Sequence, residues 1–324
     1  MMLSAAPVER RLRAAARGAA LALLGAALLA TVPAMARSPK EPKSRDFSFG
    51  VIGHTFGNDT GDADLKRAIA EANRSDPAFV LSTGIKSYAE ACSDRLYEER
   101  RALMDASERP LILLLAGSDW TDCRASNGRS SALERLNRIR ELYFADNESL
   151  GAKHLGVSRQ SSIPKFRSYA EHMHWERDKI LFATINLPAK NNHYRFEAGR
   201  NIEYEDRMVA NRAWLQRLFT WAKRRKLDAI VLVSDGEIGA HIEQGFFSRL
   251  AAKKDGFTET RRIVRTLAEK FPGKVLLIDS QKTPGGKAPS IEWSGNIGHV
   301  GLAAEWAEIR VAPGSATLFT LTSP

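Results

Sequence analysis

One short apolar run that ends in a polar turn constrains this chain most. Residues 111–115 are all Leu or Ile, and Ala-Gly follows them at once. Such a run predicts a strand that is buried on both faces. Ser118, Asp119 and Trp120 then lie at the carboxyl end of that strand, where open α/β sheets place their ligand sites. The sequence therefore predicts a site at this strand end.

Further strands and helices alternate along the chain. Apolar runs that predict strands occur at 47–53, 78–81, 229–233 and 274–278, and helical spacing occurs at 62–72, 93–106, 131–144, 204–225 and 260–271. This alternation predicts an α/β fold built from βαβ units. Residues 166–175 and 179–185 predict an antiparallel strand pair. Three more strands are expected at 297–302, 306–311 and 316–321.

The N-terminus has the pattern of an export signal. Four arginines precede an Ala/Leu-rich run at 18–32, and Ala34-Met35-Ala36 offers small residues for cleavage. We expect a signal peptide at 1–36, a flexible lead-in at 37–45 and a single domain at 46–324. The alternative is an uncleaved leader that anchors the chain to a membrane. The predicted location is periplasmic or secreted.

The charge balance is mildly basic. The chain has a net charge of +10, and the leader holds four arginines and one glutamate, so the remainder carries +7. A basic surface suits an anionic envelope component or an acidic ligand. The densest basic run, 223–226, ends a predicted helix, where cations complement the helix dipole. No nucleic-acid-binding motif accompanies it, so no nucleic-acid partner is expected.

The chain has two cysteines, Cys92 and Cys123. In an exported protein, two cysteines favour one disulfide. Each follows a predicted strand by about ten residues, which places both near the same sheet end. Two free buried thiols are the alternative. Without clustered histidines, the pair does not indicate a zinc site.

The strand ends, taken in order, resemble those of the calcineurin-like metallophosphoesterase superfamily, in an exported bacterial branch. The segments that carry the resemblance are Gly53-His54, Thr83 to Ser87, Gly117 to Trp120, Ser234-Asp235-Gly236 and Asp279-Ser280-Gln281, with Cys92-Ser93-Asp94 and Trp120 to Cys123 beside them. The resemblance implies a four-layer α/β/β/α sandwich. It also implies a two-metal centre that hydrolyses phosphate esters.

The chain departs from that family where the metal ligands are expected. His54 stands where the family has Asp, and Gly84 runs directly into Ile85 where the family has a bridging Asp. The turn after residue 117 is one residue short. No His follows strands four and five. Two metal ions about 3.5–4 Å apart need several carboxylates to offset their repulsion, so these departures predict the loss of the two-metal centre.

Other candidate sites are weaker. His172 and His174 share one face of a predicted strand, but no third metal ligand is evident, so solvated or structural histidines are favoured. Residues 58–64 lack the spacing and the closing Glu of a calcium loop, which favours a turn and a helix cap. Residues 285–287 lack the remainder of a phosphate-binding loop and predict a surface turn.

The leading hypothesis is a catalytically impaired relative that binds an anionic small molecule or an envelope component in the family's cleft. Six residues are expected to line that cleft: His54, Lys86, Ser118, Asp119, Trp120 and Asn192. This hypothesis names no catalytic residue and no cofactor. The alternative is an active metal-dependent phosphoesterase with a rearranged or single-metal site. A structural envelope protein is a third possibility.

Overall fold

A computed structural model describes residues 45–56, 61–196, 199, 201–239, 255–282, 288–303 and 306–322. Twelve strands are formed within these ranges: β1 (Phe47–Ile52), β2 (Val80–Thr83), β3 (Leu111–Leu114), β4 (Ser158–Arg159), β5 (Met173–Arg177), β6 (Ile180–Thr184), β7 (Ala229–Ser234), β8 (Lys274–Asp279), β9 (Glu292–Ser294), β10 (Ile297–Gly301), β11 (Ala307–Val311) and β12 (Phe319–Thr322). The helices are α1 (Ala63–Ser75), α2 (Asp94–Asp105), α3 (Gly117–Trp120), α4 (Ala132–Tyr143), α5 (Ile202–Arg224) and α6 (Thr258–Ala268).

The strands form two mixed sheets. The first has the order β12-β11-β1-β2-β3, and the second has the order β4-β5-β6-β7-β8-β10-β9. In the first sheet β1, β2 and β3 run parallel, with Val51 opposite Leu81 and Leu81 opposite Ile112. In the second sheet β6, β7, β8 and β10 run parallel, and antiparallel strands flank them. The structure confirms the predicted α/β class, with mixed rather than purely parallel sheets.

Aromatic side chains join the two sheets. The ring of Phe182 in β6 meets those of Phe49 in β1 and Phe79 beside β2, with centroids 5.3 and 5.0 Å apart. It also stacks on Trp175 of β5 at 5.6 Å. All four side chains are buried within one apolar cluster that includes residues of both sheets. Edge-to-face contacts of this kind add to the stability that burial alone provides.

Helices cover the remaining strand surfaces. Residues of α5 and α6, among them Trp214 and Val264, are buried in a second apolar cluster with Ile230 and Leu277 of the second sheet. Successive side chains of a strand point to opposite faces, so Val231 joins the cluster between the sheets while Ile230 faces the helices. The apolar residues of α1, α2 and α4 are buried with the first sheet.

Several local expectations from the sequence differ from the structure. The strand expected from residue 166 begins at Met173, because Pro164–Phe166 forms a 3₁₀ turn. The short strands β4 and β9 were not predicted. The segment 1–36, predicted to be a signal peptide, and most of the predicted lead-in at 37–45 lie outside the described residues, as do residues 58–60 and 285–287. Within the described ranges, no helix is long and apolar enough to cross a membrane.

A disulfide connects the segments that follow two neighbouring strands. The structure joins Cys92 and Cys123, with their Cα atoms 5.8 Å apart and a sequence separation of 31. Cys92 lies just before α2, and Cys123 lies just after α3. The bond therefore fixes the start of α2 against the turn that the sequence singled out as a site.

Removing this disulfide should destabilise the protein without changing its fold. Closing a loop of this length contributes about 3–4 kcal/mol in the chain-entropy description. We expect the double variant Cys92→Ser/Cys123→Ser to lose stability of that order in urea denaturation, with native circular dichroism. Dithiothreitol should lower the melting temperature of the wild type only. An equal effect of the reductant on the double variant would contradict the assignment.

Candidate functional site

The carboxyl ends of strands from both sheets border one cleft of ≈ 860 Å³. It is lined by His54, Thr55, Asp64, Tyr88, Ala116, Ser118, Ala189, Lys190, Asp235, Gly236, Glu237, Phe257, Ser280, Gln281, Lys282 and Ala303. The segments after β1, β3, β6, β7 and β8 all contribute, because parallel strands deliver their carboxyl ends to the same edge of a sheet. This is the edge at which the sequence placed a site.

His54 and Ser118 are hydrogen-bonded within this cleft. His54 Nε2 lies 2.7 Å from Ser118 Oγ, although the two residues are 64 positions apart in the sequence. Gly84 makes room for the imidazole: a Cβ atom at residue 84 would lie 2.6 Å from His54 Cδ2. Gly84 also has a φ of +86°, which favours glycine. The sequence proposed both His54 and Ser118 as cleft residues, and the structure brings them together.

Burial decides the charge of the His54 ring. Desolvation lowers the pKa of His54 below its ordinary value, and the charge of Asp235 and backbone hydrogen bonds oppose this effect only in part. The ring is therefore neutral at pH 7. A neutral imidazole has one nitrogen that accepts a hydrogen bond, and in the tautomer protonated at Nδ1 this is Nε2, which then accepts from the Ser118 hydroxyl.

Lys86 and Asp119 lie beneath the cleft rather than on its surface. Lys86 is 1% exposed, and its Nζ donates to the carbonyl oxygens of Ser87 at 2.6 Å and Ser118 at 3.0 Å. Burial lowers the pKa of Lys86. Both residues were expected to line the cleft. Their side chains are instead used to shape the turns that carry Ser118.

The Asp119 carboxylate is hydrogen-bonded to the turn after β2 and to the turn after β3. It accepts hydrogen bonds from the backbone N–H of Ile85 at 2.8 Å, Ala116 at 2.7 Å and Lys86 at 3.3 Å. Complete burial nevertheless raises the pKa of Asp119 to about 7, and the N–H donors and Lys86 only partly offset that rise. The carboxyl group connects the end of β2 to the end of β3.

Asp235 connects the two sheets at the carboxyl ends of their strands. Its Oδ2 accepts from the backbone N–H of Gly117 at 2.8 Å and of Ala189 at 2.7 Å, and its Oδ1 accepts from Ser280 Oγ at 2.7 Å. The sequence noted Asp235 at a strand end but did not include it in the site. Only the fold shows that β3, β6, β7 and β8 end around one carboxylate.

The structure adds Tyr88 and Lys190 to the cleft. Lys190 Nζ lies 3.2 Å from the centre of the Tyr88 ring, a cation–π contact. The Tyr88 hydroxyl would lie 2.7 Å from a Cβ atom at residue 117, so Gly117 permits this close approach. Burial raises the pKa of Tyr88, which keeps the hydroxyl protonated. Tyr88 and Lys190 lie in loops, and apart from their proximity to strand ends no pattern in the sequence indicated that they line the cleft.

Trp120 and Asn192 lie away from this cleft. Trp120 is fully buried and lines a second cavity of ≈ 700 Å³ next to His193, with ring centres 4.9 Å apart. Asn192 is also fully buried, and its amide donates to the carbonyl of Gly256 at 2.9 Å. Its backbone oxygen accepts from Arg207 at 3.0 Å. Both residues were expected in the cleft, and both support the structure around it.

The donors present do not fit a two-metal centre. In the part of the chain that the structure describes, no three His, Cys, Asp or Glu side chains are grouped as a metal site requires. Asp119 and Asp235 already accept several N–H or O–H hydrogen bonds. The Lys86 ammonium also lies beside Asp119, where a second cation would be repelled.

His172 and His174 are buried structural residues in this protein. Both rings pack on Trp214, with centroids 6.1 and 5.4 Å away, and His172 Nδ1 is hydrogen-bonded to Gln160. Burial lowers the pKa of each to about 4, so both rings are neutral. This arrangement agrees with the structural role expected from the sequence.

Substituting Gly84 should reveal how closely His54 packs. Gly84→Ala and Gly128→Ala both place alanine at positive φ, +86° and +78°, but only residue 84 has a neighbour within 4 Å. We expect Gly128→Ala to lose about 1–2 kcal/mol and Gly84→Ala a further 1–3 kcal/mol from overpacking, measured by urea denaturation. Equal losses in the two variants would contradict the close contact.

The buried Asp119 carboxyl should make stability depend on pH. Its pKa is about 3.9 in unfolded chains and about 7 in the folded protein, so between these values the native state retains a proton that the unfolded state has released. Stability from this group is therefore present at low pH and falls as pH rises towards 7. In urea denaturation, the stability advantage of wild type over Asp119→Asn should shrink from pH 5 to pH 7. A growing advantage would refute the raised pKa.

The similarity of this chain to known proteins is distant. No family model matches the chain, and no curated protein matches it significantly. One solved structure similar to it is a protein from Mycoplasma pneumoniae described as a novel phosphatase. The two chains are 8% identical with a TM-score of 0.41, over 86% of this chain and 92% of the other.

Proposed function

We propose that this protein is an exported member of the calcineurin-like phosphoesterase type that lacks the two-metal centre and binds an anionic ligand in the strand-end cleft. The ligand is a small molecule or a component of the cell envelope. The protein is then catalytically impaired as a metal-dependent phosphoesterase. The proposed location is periplasmic or secreted, in keeping with the disulfide between Cys92 and Cys123.

The layer arrangement supports the proposed fold type. Phe182 contacts rings of the first sheet, and α5 and α6 pack on the outer side of the second sheet. The buried residues of α1, α2 and α4 belong with the first sheet. A four-layer α/β/β/α sandwich is the simplest description of these contacts, and its sheets end at the cleft.

The observation that carries the proposal is the bonding of the buried carboxylates. Asp119 and Asp235 each accept hydrogen bonds at both of their oxygens. Lys86 places an ammonium group directly below the cleft, and carbonyl oxygens accept its hydrogens. The Lys86 ammonium supplies positive charge at the site, and the Asp119 and Asp235 oxygens already have hydrogen-bond donors. These contacts support a site whose buried charges are balanced without metal ions.

The charges around the cleft support an anionic ligand. Three carboxylates line the cleft: Asp64 pairs with Arg67, Glu237 lies 3.7 Å from Arg261, and Asp235 accepts hydrogen bonds from three donors. Lys190 and Lys282 are exposed at the cleft. Lys190 also lies 3.6 Å from Asp122, an exposed and therefore weak pair that a ligand can replace.

Anion binding should stabilise the protein measurably. We expect inorganic phosphate or pyrophosphate at about 100 times its dissociation constant to add about 2.7 kcal/mol of stability, seen as a rise in melting temperature. Lys190→Ala/Lys282→Ala should weaken binding at least about fivefold, because two cations that face the anion are removed. The exposed Lys153, outside the cleft, supplies the matched control Lys153→Ala.

Two outcomes would replace this proposal. Metal-dependent turnover of p-nitrophenyl phosphate or bis(p-nitrophenyl) phosphate with Mn, Zn or Fe, abolished by His54→Ala, would establish an active phosphoesterase with one metal or a rearranged site. Absence of stabilisation by any anion tested, together with no turnover, would favour a structural envelope protein. Metal analysis of protein recovered from its own compartment separates the first outcome from the proposal independently of activity.

A further inference from the structure

We propose that Ser118 and His54 form a nucleophile and general-base pair that cleaves carboxylic esters without a metal ion. This activity goes beyond ligand binding and belongs to a different class from phosphate-ester hydrolysis. It uses two residues that both line the cleft. A serine hydroxyl is a weak nucleophile on its own, and an adjacent base that accepts its proton activates it.

The geometry of the pair is that of an activated serine. Ser118 Oγ and His54 Nε2 lie 2.7 Å apart, within the range needed for proton transfer. The backbone on both sides of Ser118 is fixed, because its carbonyl oxygen accepts from Lys86 Nζ and the preceding Gly117 N–H donates to Asp235. Ser118 is thus held by bonds that do not involve its hydroxyl group.

The base is held equally firmly. The imidazole packs against Gly84, where any side chain would collide with it. Its burial favours the neutral form at pH 7. The charge of Asp235 nearby favours the imidazolium that forms when the proton is transferred. The cleft therefore contains a neutral base together with a carboxylate that stabilises its conjugate acid.

Tyr88 is the hydroxyl group placed to assist the reaction. It lines the same cleft and approaches the Gly117 backbone next to Ser118. Its hydroxyl stays protonated and is hydrogen-bonded to Thr121, and once it leaves that partner it can donate a hydrogen bond to the oxygen of a substrate carbonyl. The Lys190 ammonium over its ring adds positive charge on that side of the cleft.

The reaction balances within these groups. Ser118 Oγ bonds to the ester carbonyl carbon while its proton moves to His54 Nε2, and the tetrahedral adduct expels the alkoxide, which takes that proton and leaves as the alcohol. Water then gives a proton to His54 and its hydroxide to the acyl carbon. The second tetrahedral adduct breaks its bond to Ser118 Oγ, which takes the proton back from His54, and a carboxylic acid is released.

Charge favours a carboxylic ester over a phosphate monoester as the electrophile. Phosphoryl transfer spreads negative charge over three oxygens and needs cations or several donors around them. Near Ser118, Lys86 is buried below the cleft and donates to the carbonyl oxygens of Ser87 and Ser118, so its ammonium is not available to a transferring phosphoryl group. A carboxylic ester develops one oxyanion, for which a hydroxyl donor suffices.

Covalent labelling tests the pair directly. A fluorophosphonate probe with EDTA present should modify Ser118 stoichiometrically, as located by peptide mass spectrometry. p-Nitrophenyl acetate should release about one equivalent of p-nitrophenol in a burst. We expect Ser118→Ala to abolish both signals. His54→Gln, which keeps a hydrogen-bonding side chain without a base, should slow labelling about 100-fold.

Controls keep each result interpretable. Ser162, an exposed serine outside the cleft, should remain unlabelled, and Ser162→Ala should react like the wild type. Native circular dichroism and an unchanged melting transition exclude unfolding of the His54→Gln variant. The labelling rate should rise with pH through the lowered pKa of His54 and then level off.

The outcomes separate this proposal from anion binding. Folded wild-type protein that is stabilised by phosphate but is not labelled at Ser118, or is labelled as fast in His54→Gln, would overturn the nucleophile–base pair and leave the binding proposal standing. Labelling at Ser118 in protein that no anion stabilises would support the nucleophile–base pair and refute the anion-binding proposal. Labelling confined to another residue would also refute the pair.

Discussion

The structure around the cleft depends on one buried carboxylate. Asp235 is 2% exposed and accepts hydrogen bonds from three separate segments, the turn after β3, the turn after β6 and the serine after β8. Two of these segments follow strands of one sheet and the third follows a strand of the other. A buried carboxylate is tolerated only when donors surround it, and the three donors of Asp235 hold the two sheet ends together.

The sequence predicted the frame of the molecule well, because apolar runs and helical spacing report burial directly. The run at 111–115 became a buried strand, and residues 93–106 and 131–144 became α2 and α4 within one or two residues. The order of the strands in each sheet and the side chains that join the sheets could not be predicted from the sequence. They depend on contacts between distant residues, such as Phe182 with Phe49.

The site was predicted in part for the same reason. His54 and Ser118 follow strands directly, so their place in the cleft could be inferred from the strand ends. Lys86 and Asp119 also follow strands, but their side chains turn towards backbone groups that no sequence pattern identifies. Tyr88 reaches the cleft because Gly117 lacks a side chain. Such a steric match between residues 29 apart is visible only in three dimensions.

The packing of residue 85 has a consequence for how such a site can change over time. Ile85 is fully buried in the apolar cluster, and its N–H donates to Asp119. A carboxylate introduced there would enter apolar surroundings beside an existing buried acid. It would be costly unless Asp119, Lys86 and His54 changed as well. The charge that this turn can hold is therefore set by residues 54, 85, 86 and 119 together, not by residue 85 alone.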